Sequence, residues 1–440
     1  MKCYQVLFSF LLFVGGTFFN LNSSGAEGMQ KPLMKDFMGI NGHTVQFKPE
    51  LYRPAVGLVR DYHDIQWDIG DDTDHVTTFP MARNKVDWSQ VYGSWAKVGF
   101  VTDVSVMFPR LTTNHWKNLP ADAFRYGKSF GAYFGPAAGH GLVSSVEIGN
   151  EPGHYSDADY RSLFQNMARG LREGDPKLSI VTCALTVGKS HKYAKSVTCV
   201  EGLTNLFDVL NIHSYAEAEK WPTWKRSYPE DPKLTYLTDI IALADWRDKH
   251  AAGKAVWLTE FGYDSSTKTP ATNGPFAKWI GNTDVEQARY LVRSFLLFSK
   301  MPVERAYIYF FDDKDEPQIH GSSGLTRNFV PKPSFYAVAH LQNTLGEYRF
   351  EKALAEGEDS VFWHQYGNGK DKNKKILAGW TAQGGNTEKT VTIPTLEKFK
   401  TVRGERMPLG KQEAEHWGLG LNDTTVKLNE SPVYLFLESK

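Results

Sequence analysis

Cysteine is nearly absent, with three in 440 residues. Cys3 lies at the very start, so Cys183 and Cys199 are the one pair a folded domain has to offer, and they read as two separate thiols rather than a disulfide. No C-x-x-C or H-E-x-x-H occurs, which removes the usual signatures of a zinc ribbon or a zinc peptidase. Neither a metal nor an organic cofactor is expected. Charge of one sign is also missing: 50 Lys and Arg balance 50 Asp and Glu. Nucleic acid and anionic membrane surfaces reward clustered cations, so neither is an expected partner. No segment reaches 18 uninterrupted apolar residues, the length a membrane span needs. Internal repeats, low-complexity tracts and Gly/Ser/Pro-rich linkers are absent as well.

Apolar residues at 41% suffice for a large core, and the aromatics are plentiful: 12 Trp, 20 Tyr and 27 Phe. Most aromatics belong to that core, but Trp and Tyr also suit a cleft that stacks flat apolar rings. The chain opens with Lys2, an apolar run from Val6 to Phe19 and the small residues Ser24-Gly25-Ala26. This reads as a secretory signal over 1–26, and hence a secreted or periplasmic protein, acting as a monomer.

From residue 33 to about 345, strand-like runs alternate with helix-like segments. The strands are KDFMGIN, VGLVRDY, FVTDVSVMF, VSSVEIGNE, SIVTCALT, FDVLNIHSY, AVWLTEFGY and RAYIYFFDD. Between them lie segments such as DADYRSLFQNMARGLREG, in which Tyr160, Leu163, Phe164, Met167 and Leu171 recur at helical spacing. Eight such alternations predict an α/β fold, a (β/α)8 TIM barrel, over 27–345. An open doubly wound sheet is the alternative, but no G-x-G-x-x-G follows the first strand. From 346 to 440 the texture changes to short strands with period-two patterning, SVFWHQYG, KKILAGWTA, KTVTIPTL and SPVYLFLES. These predict a small C-terminal β-sandwich packed on the barrel.

The stretch VSSVEIGNEPGHY, residues 143–155, runs a strand into Gly149, Asn150, Glu151 and Pro152. It sets a carboxylate at the rim where such barrels keep their chemistry. AVWLTEFGYD sets a second, Glu260, at the end of strand seven, across the pore. Two opposed rim carboxylates suit glycosidic cleavage, in which one group protonates the departing oxygen and the other meets the anomeric carbon. A gap of roughly 5–5.5 Å gives retention of configuration, and a wider one inversion.

The pair GNEP and LTEFGYD, on strands four and seven, resembles the retaining glycoside hydrolases of clan A, with an organisation similar to family 39 and to family 5-like enzymes. The closing segment GSSGLTRNFVPKPSFYAVAHLQNTLG resembles that clan's as well. The resemblance implies that Glu151 is the acid/base and Glu260 the nucleophile. It also implies that Asn150 contacts the sugar 2-hydroxyl, that Tyr215 contacts the nucleophile and that Arg60 supports it. Clan members often carry a Trp near the end of strand eight; here Phe310 and Phe311 precede Asp312.

Other residues are candidates on their own chemistry. Glu147 shares the parity of Glu151 one layer deeper and is expected to pair with Arg60. His63 and His213 either touch the sugar or serve the structure. Trp67, Trp116, Trp221 and Trp224 follow strands, and Trp116 and Trp221 are carried forward as stacking residues. Asp312 and His320 are placed to select substituents on the sugar. DIGDDTDH lacks the glycine and terminal glutamate of a calcium loop and reads as a solvated acidic turn. The expected partner is a polysaccharide or its oligosaccharides, cleaved at β-linkages. The competing readings are an exo-acting β-xylosidase-like or uronidase-like enzyme and a non-catalytic sugar-binding barrel. An aldolase or metal hydrolase would need a central Lys or a His cluster, which these strands lack.

Overall fold

The computed structural model describes residues 30–44, 47–396, 398–420 and 423–440. The secretory-signal segment lies outside them. Eight parallel strands close on themselves: β1 (Met38–Gly42), β2 (Leu58–Asp64), β3 (Val101–Met107), β4 (Ser145–Ile148), β5 (Ser179–Thr186), β6 (Val209–His213), β7 (Ala255–Phe261) and β8 (Arg305–Ile308). Each pairs with its sequence neighbour, and β8 pairs back onto β1 through Met38–Ala306 and Ile40–Ile308. The long helices outside this ring are α1 (Trp88–Lys97), α2 (Leu119–Phe134), α3 (Asp157–Gly174), α4 (Tyr236–His250), α5 (Asp284–Lys300) and α6 (Pro333–Leu345). The alternation is less regular than the sequence suggests. The chain from β5 to β6 carries a short strand at Lys195–Ser196 and a single 3-10 turn at Val197–Cys199 in place of a long helix.

Helix α3 shows why the sequence folds as it does. Ser156 caps it by accepting from the Asp159 amide, and the five apolar residues at helical spacing are all buried. Its glycines let it approach α2 backbone to backbone. A Cβ at Gly170 would sit 2.1 Å from the Phe124 carbonyl oxygen, and one at Gly127 would sit 2.4 Å from that of Met167.

Inside the ring, strand parity decides which side chains meet. Asn41, Arg60, Glu147, Asn211 and Thr259 form a buried polar layer. Arg60 binds Glu147 through two contacts of 2.8 Å, and Ser105 adds a third donor to that carboxylate. The neighbours of Arg60 along β2 point the other way, into the packing against α1. There the Tyr92 hydroxyl donates to Asp61 at 3.1 Å and meets the His63 ring nitrogen at 2.8 Å.

Beyond α6 a six-stranded antiparallel sheet joins Tyr348–Glu356, Val361–Asn368, Lys374–Thr381, Val433–Ser439, Phe399–Arg406 and Glu415–Gly418, in that spatial order. A two-stranded sheet, Lys389–Thr392 with Thr425–Leu428, makes the second layer. Alternation sorts the faces. Phe362, Tyr366 and Trp380 are continuous with the barrel's core. Val361, Trp363 and Leu435 instead face a separate small core with Val426 and Leu428. The architecture is a (β/α)8 barrel with a C-terminal β-sandwich. Among the described residues no helix is long and apolar enough to cross a membrane.

Candidate active site

A cleft of about 1090 Å³ opens at the carboxyl ends of the barrel strands, and Asn150, Glu151, His213, Tyr215 and Glu260 all line it. Gly149 makes the first of these placements possible. Its φ of 81° turns the chain out of β4, and a Cβ there would lie 2.7 Å from the Phe108 ring. The next two side chains are thereby swung over the mouth, and the Asn150 carbonyl is tied down by the Ala184 amide at 3.1 Å.

Glu260 is buried at the end of β7 and saturated with donors. The Tyr62 hydroxyl donates to its Oε1 at 2.5 Å and the Tyr215 hydroxyl to its Oε2 at 2.9 Å. The Arg60 guanidinium reaches Oε1 at 3.4 Å, and His213 Nδ1 lies 3.5 Å from Oε2. Burial alone would favour the neutral acid. The charges of His213 and Arg60 and the two tyrosine hydrogen bonds outweigh it, holding Glu260 below the usual carboxylate range. An ionised carboxylate facing open space is a competent nucleophile.

Glu151 is more open, its side chain about a quarter exposed. His213 Nδ1 lies 2.9 Å from its Oε1, and His213 Nε2 lies 3.1 Å from the Thr259 hydroxyl. Thr259 donates to Asn211 Oδ1 at 2.6 Å, so its oxygen is the acceptor for His213 Nε2–H. The Nδ1 contact therefore carries one proton between His213 and Glu151. Burial opposes a charged imidazole, but the Glu260 and Glu151 carboxylates prevail and raise His213 above its ordinary value. One oxygen of each glutamate and a nitrogen of His213 all lie within 4.8 Å of one another. Three such groups form a possible cation site by type, yet both Glu260 oxygens are already occupied by tyrosine donors.

Asn150 Oδ1 accepts from Arg60 Nη2 at 2.8 Å. Since a guanidinium only donates, this contact fixes the amide and turns the Asn150 Nδ2 hydrogens away from Arg60. Arg60 thus bridges Glu147, Asn150 and Glu260 from beneath.

Several sequence candidates lie elsewhere. His63 is fully buried outside the ring, bonded to Asp68 at 2.7 Å and stacked on Trp88 with centroids 3.9 Å apart. It cannot reach a sugar, because it sits on the opposite parity from Arg60. Trp116 is buried and donates to the Tyr155 hydroxyl at 2.8 Å, away from the cleft. Trp221 is 69% exposed but is not part of the cleft wall, whereas Trp67 and Trp224 are. Asp312 is buried and accepts from the Thr326 hydroxyl and the Phe329 amide. The aromatic wall after β8 is Tyr309, while Phe310 and Phe311 are buried behind it. Asp72 and Asp74 pair with Lys117, and Cys183 and Cys199 are both free thiols. Sequence reasoning missed Tyr62, His43 and Tyr309, all in the cleft wall. Parity counted from Arg60 would have found Tyr62.

Fold and site together define a barrel with an appended β-sandwich and two carboxylates facing each other across one mouth. No family model matches the sequence, and no curated protein matches it. Solved structures do. The chain is similar to a family 39 glycoside hydrolase from the gut symbiont Bacteroides cellulosilyticus WH2, with a TM-score of 0.67 and 19% identity over 93% of this chain and 81% of that one. It is also similar to a glucosidase from Croceicoccus marinus, with a TM-score of 0.62 and 13% identity over 93% and 96%. A third is an α-L-arabinofuranosidase from Thermotoga maritima, with a TM-score of 0.61 and 12% identity over 93% and 97%. At these identities the likeness establishes the fold, a (β/α)8 barrel carrying a β-sandwich.

Proposed function

We propose that the protein is a retaining glycoside hydrolase that cleaves β-linkages in a polysaccharide or its oligosaccharides. The observation that carries this reading is the closeness of the two carboxylates. With one oxygen of Glu151 and one of Glu260 within 4.8 Å of each other, the pair stands nearer the roughly 5–5.5 Å separation of retaining enzymes than the roughly 6.5–9.5 Å that makes room for a water. The fold shared with three glycoside hydrolases supports the same class.

In the first step Glu260 attacks the anomeric carbon and Glu151 gives its proton to the glycosidic oxygen, so the C–O bond breaks as the enzyme ester forms. In the second step Glu151 takes a proton from water, the water oxygen bonds to the anomeric carbon, and Glu260 is released as a carboxylate. Tyr62 and Tyr215 orient the nucleophile, Arg60 stabilises it, and Asn150 offers its amide hydrogens to the neighbouring sugar hydroxyl. His213 hydrogen-bonds Glu151 and steadies it as it alternates between acid and carboxylate. The N-terminal 1–26 segment supports export, with a barrel over 27–345 and a sandwich over 346–440 acting as a monomer.

The test is reducing-end release from a polysaccharide panel, with the anomeric configuration of fresh product followed by proton NMR. Wild type should release product with retained configuration, and Glu260→Gln should release none. Glu151→Ala should recover with activated aryl leaving groups and added azide. Inverted product, or full turnover by Glu260→Gln, would refute the assignment.

A further inference from the structure

Of the imidazoles in the cleft wall that take no part in the chemistry above, two stand beside Tyr309. His43 follows β1 and packs against Tyr62 and Phe310, with ring centroids 5.0 Å away in each case. Its Nε2 is buried and has no hydrogen-bond partner among the described residues. His320 sits on the other side of Tyr309, its ring 5.2 Å from that of Tyr309 and 5.0 Å from that of Tyr215. Both line the same cleft as Glu260. We propose that these two histidines hold the hydroxyls of a neutral glycosyl unit in the innermost sugar position, and that this position rejects units carrying a carboxylate or sulfate. The proposal rests on the glycosidase reading and narrows its substrate class.

Hydrogen-bond logic fixes one tautomer. Arg226 Nη2 donates to His320 Nδ1 at 3.4 Å, and a guanidinium cannot accept. His320 Nδ1 is therefore bare and its Nε2 carries the hydrogen, so the ring offers a donor to a ligand. Burial, joined by the charge of Arg226, pushes His320 down to about 4. Burial does the same to His43, again to about 4, with Arg60 adding to the effect and Glu260 opposing it.

No spare cation awaits an acidic substituent. Arg226 is buried against Asp264 at 3.0 Å and the Gly262 carbonyl at 2.7 Å. Arg60 is consumed by Glu147, Asn150 and Glu260. Among the described residues, the one Lys or Arg in the cleft wall is Lys220, which is exposed at the rim. A carboxylate on the innermost sugar would lose its water and find the cations beside it already engaged, His213 by Glu151 and Glu260 and Arg60 by Glu147, next to an ionised Glu260, an arrangement that costs far more than a hydroxyl in the same place.

The experiment is calorimetric titration of the intact protein with matched pairs of piperidine imino sugars in the gluco, galacto and manno configurations. One member of each pair carries the hydroxymethyl group and the other its carboxylate counterpart. At least one neutral member should bind, at least about tenfold tighter than its acidic twin. His43→Phe and His320→Phe should each weaken that binding about five- to tenfold, the effect of one neutral hydrogen bond. The unfolding temperature is measured on each variant, and His43→Asn or His320→Asn replaces the phenylalanine variant at that position if it fails to fold. Nitrogen NMR of labelled histidine should show both rings uncharged at pH 6. Equal or tighter binding of the acidic members, no binding of any neutral member, unaffected variants, or a charged ring at pH 6 would each overturn the proposal. Reducing-end release is scored separately. Its absence alongside a preserved neutral preference refutes the glycosidase reading alone, and its presence alongside equal binding refutes this one alone.

Discussion

Replacing Tyr62 by phenylalanine removes a single oxygen from the barrel mouth, and the structure sets the size of the effect. That hydroxyl donates to Glu260 Oε1 at 2.5 Å, in the range of short charge-assisted bonds. Without it, Oε1 keeps only the long 3.4 Å contact from Arg60, while Oε2 retains Tyr215. A hydrogen bond to a buried charge contributes about 1.5–3 kcal/mol, equivalent to about one to two pH units. The sign follows from the direction of the shift. Glu260 is held low in the folded protein, so losing a donor raises it, and the acidic limb of kcat/KM moves toward neutral pH by that amount. The assay is a pH profile of kcat/KM on an aryl β-glycoside for wild type, Tyr62→Phe and Tyr215→Phe. Tyr62→Phe should shift the limb further, because its bond is the shorter of the two. An unmoved acidic limb, with activity lowered equally at every pH, would mean that Tyr62 only packs, and the account of how Glu260 stays ionised would fall.

Arg60→Met should lower stability by about 3–5 kcal/mol in urea denaturation, because it strands Glu147 in the barrel interior; adding Glu147→Leu should restore much of it. The neutral histidines predict acid sensitivity. His43, His320 and His364 lie at about 4, 4 and 3, so the unfolded chain protonates first as pH falls below 6.5. Stability should be full above that point and decline below it, by about 1.4 kcal/mol per pH unit for each fully titrating ring. Among the described residues neither buried nitrogen of His364 has a hydrogen-bond partner, so His364→Leu should raise the urea midpoint at pH 5; a lower midpoint would contradict this. Gly170→Ala should depress the unfolding temperature by several degrees, since its Cβ meets the Phe124 carbonyl at 2.1 Å; calorimetry showing no change would mean that α2 and α3 can part freely.

Much of this molecule is legible in its sequence for a simple reason. SIVTCALT becomes β5 residue for residue, and DADYRSLFQNMARGLREG becomes α3, because both segments bury an uninterrupted apolar face bounded by strong stop signals. The strands Phe399–Arg406 and Glu415–Gly418 carry no such face: the first is mostly half-buried and the second mostly exposed, and backbone pairing joins them. At the mouth, Glu151 and Glu260 are readable because each sits at or just past the end of a strand. The two readings of His63 stay open in the sequence because strand ends alone ignore parity, and one position decides between cleft and exterior. Trp116 and Trp221 follow strands too, but the loop residues between strand end and Trp, 108–115 and 214–220, decouple chain position from direction. His43 left no signal, since what makes it notable is the company of Tyr62 and Phe310, assembled from distant parts of the chain, whereas His320, read as selecting sugar substituents, does line the cleft beside Tyr215 and Tyr309.

Glu230 belongs to the segment after β6 that also carries Trp224 and Arg226. It accepts from Arg293 of α5 at 2.9 Å and from the Trp380 indole of the sandwich at 2.7 Å. Arg293 in turn donates to the Ala382 carbonyl at 3.0 Å, and Glu430 stands 3.6 Å from the same guanidinium. One flank of the cleft is thus moored to the appended sheets. Trimming the chain after α6 would bare the aromatic faces of α5 and leave a buried arginine and glutamate without their far-side anchors. The C-terminal sheets are therefore a buttress of the cleft, and a barrel cut free of them would not be a smaller version of the same molecule.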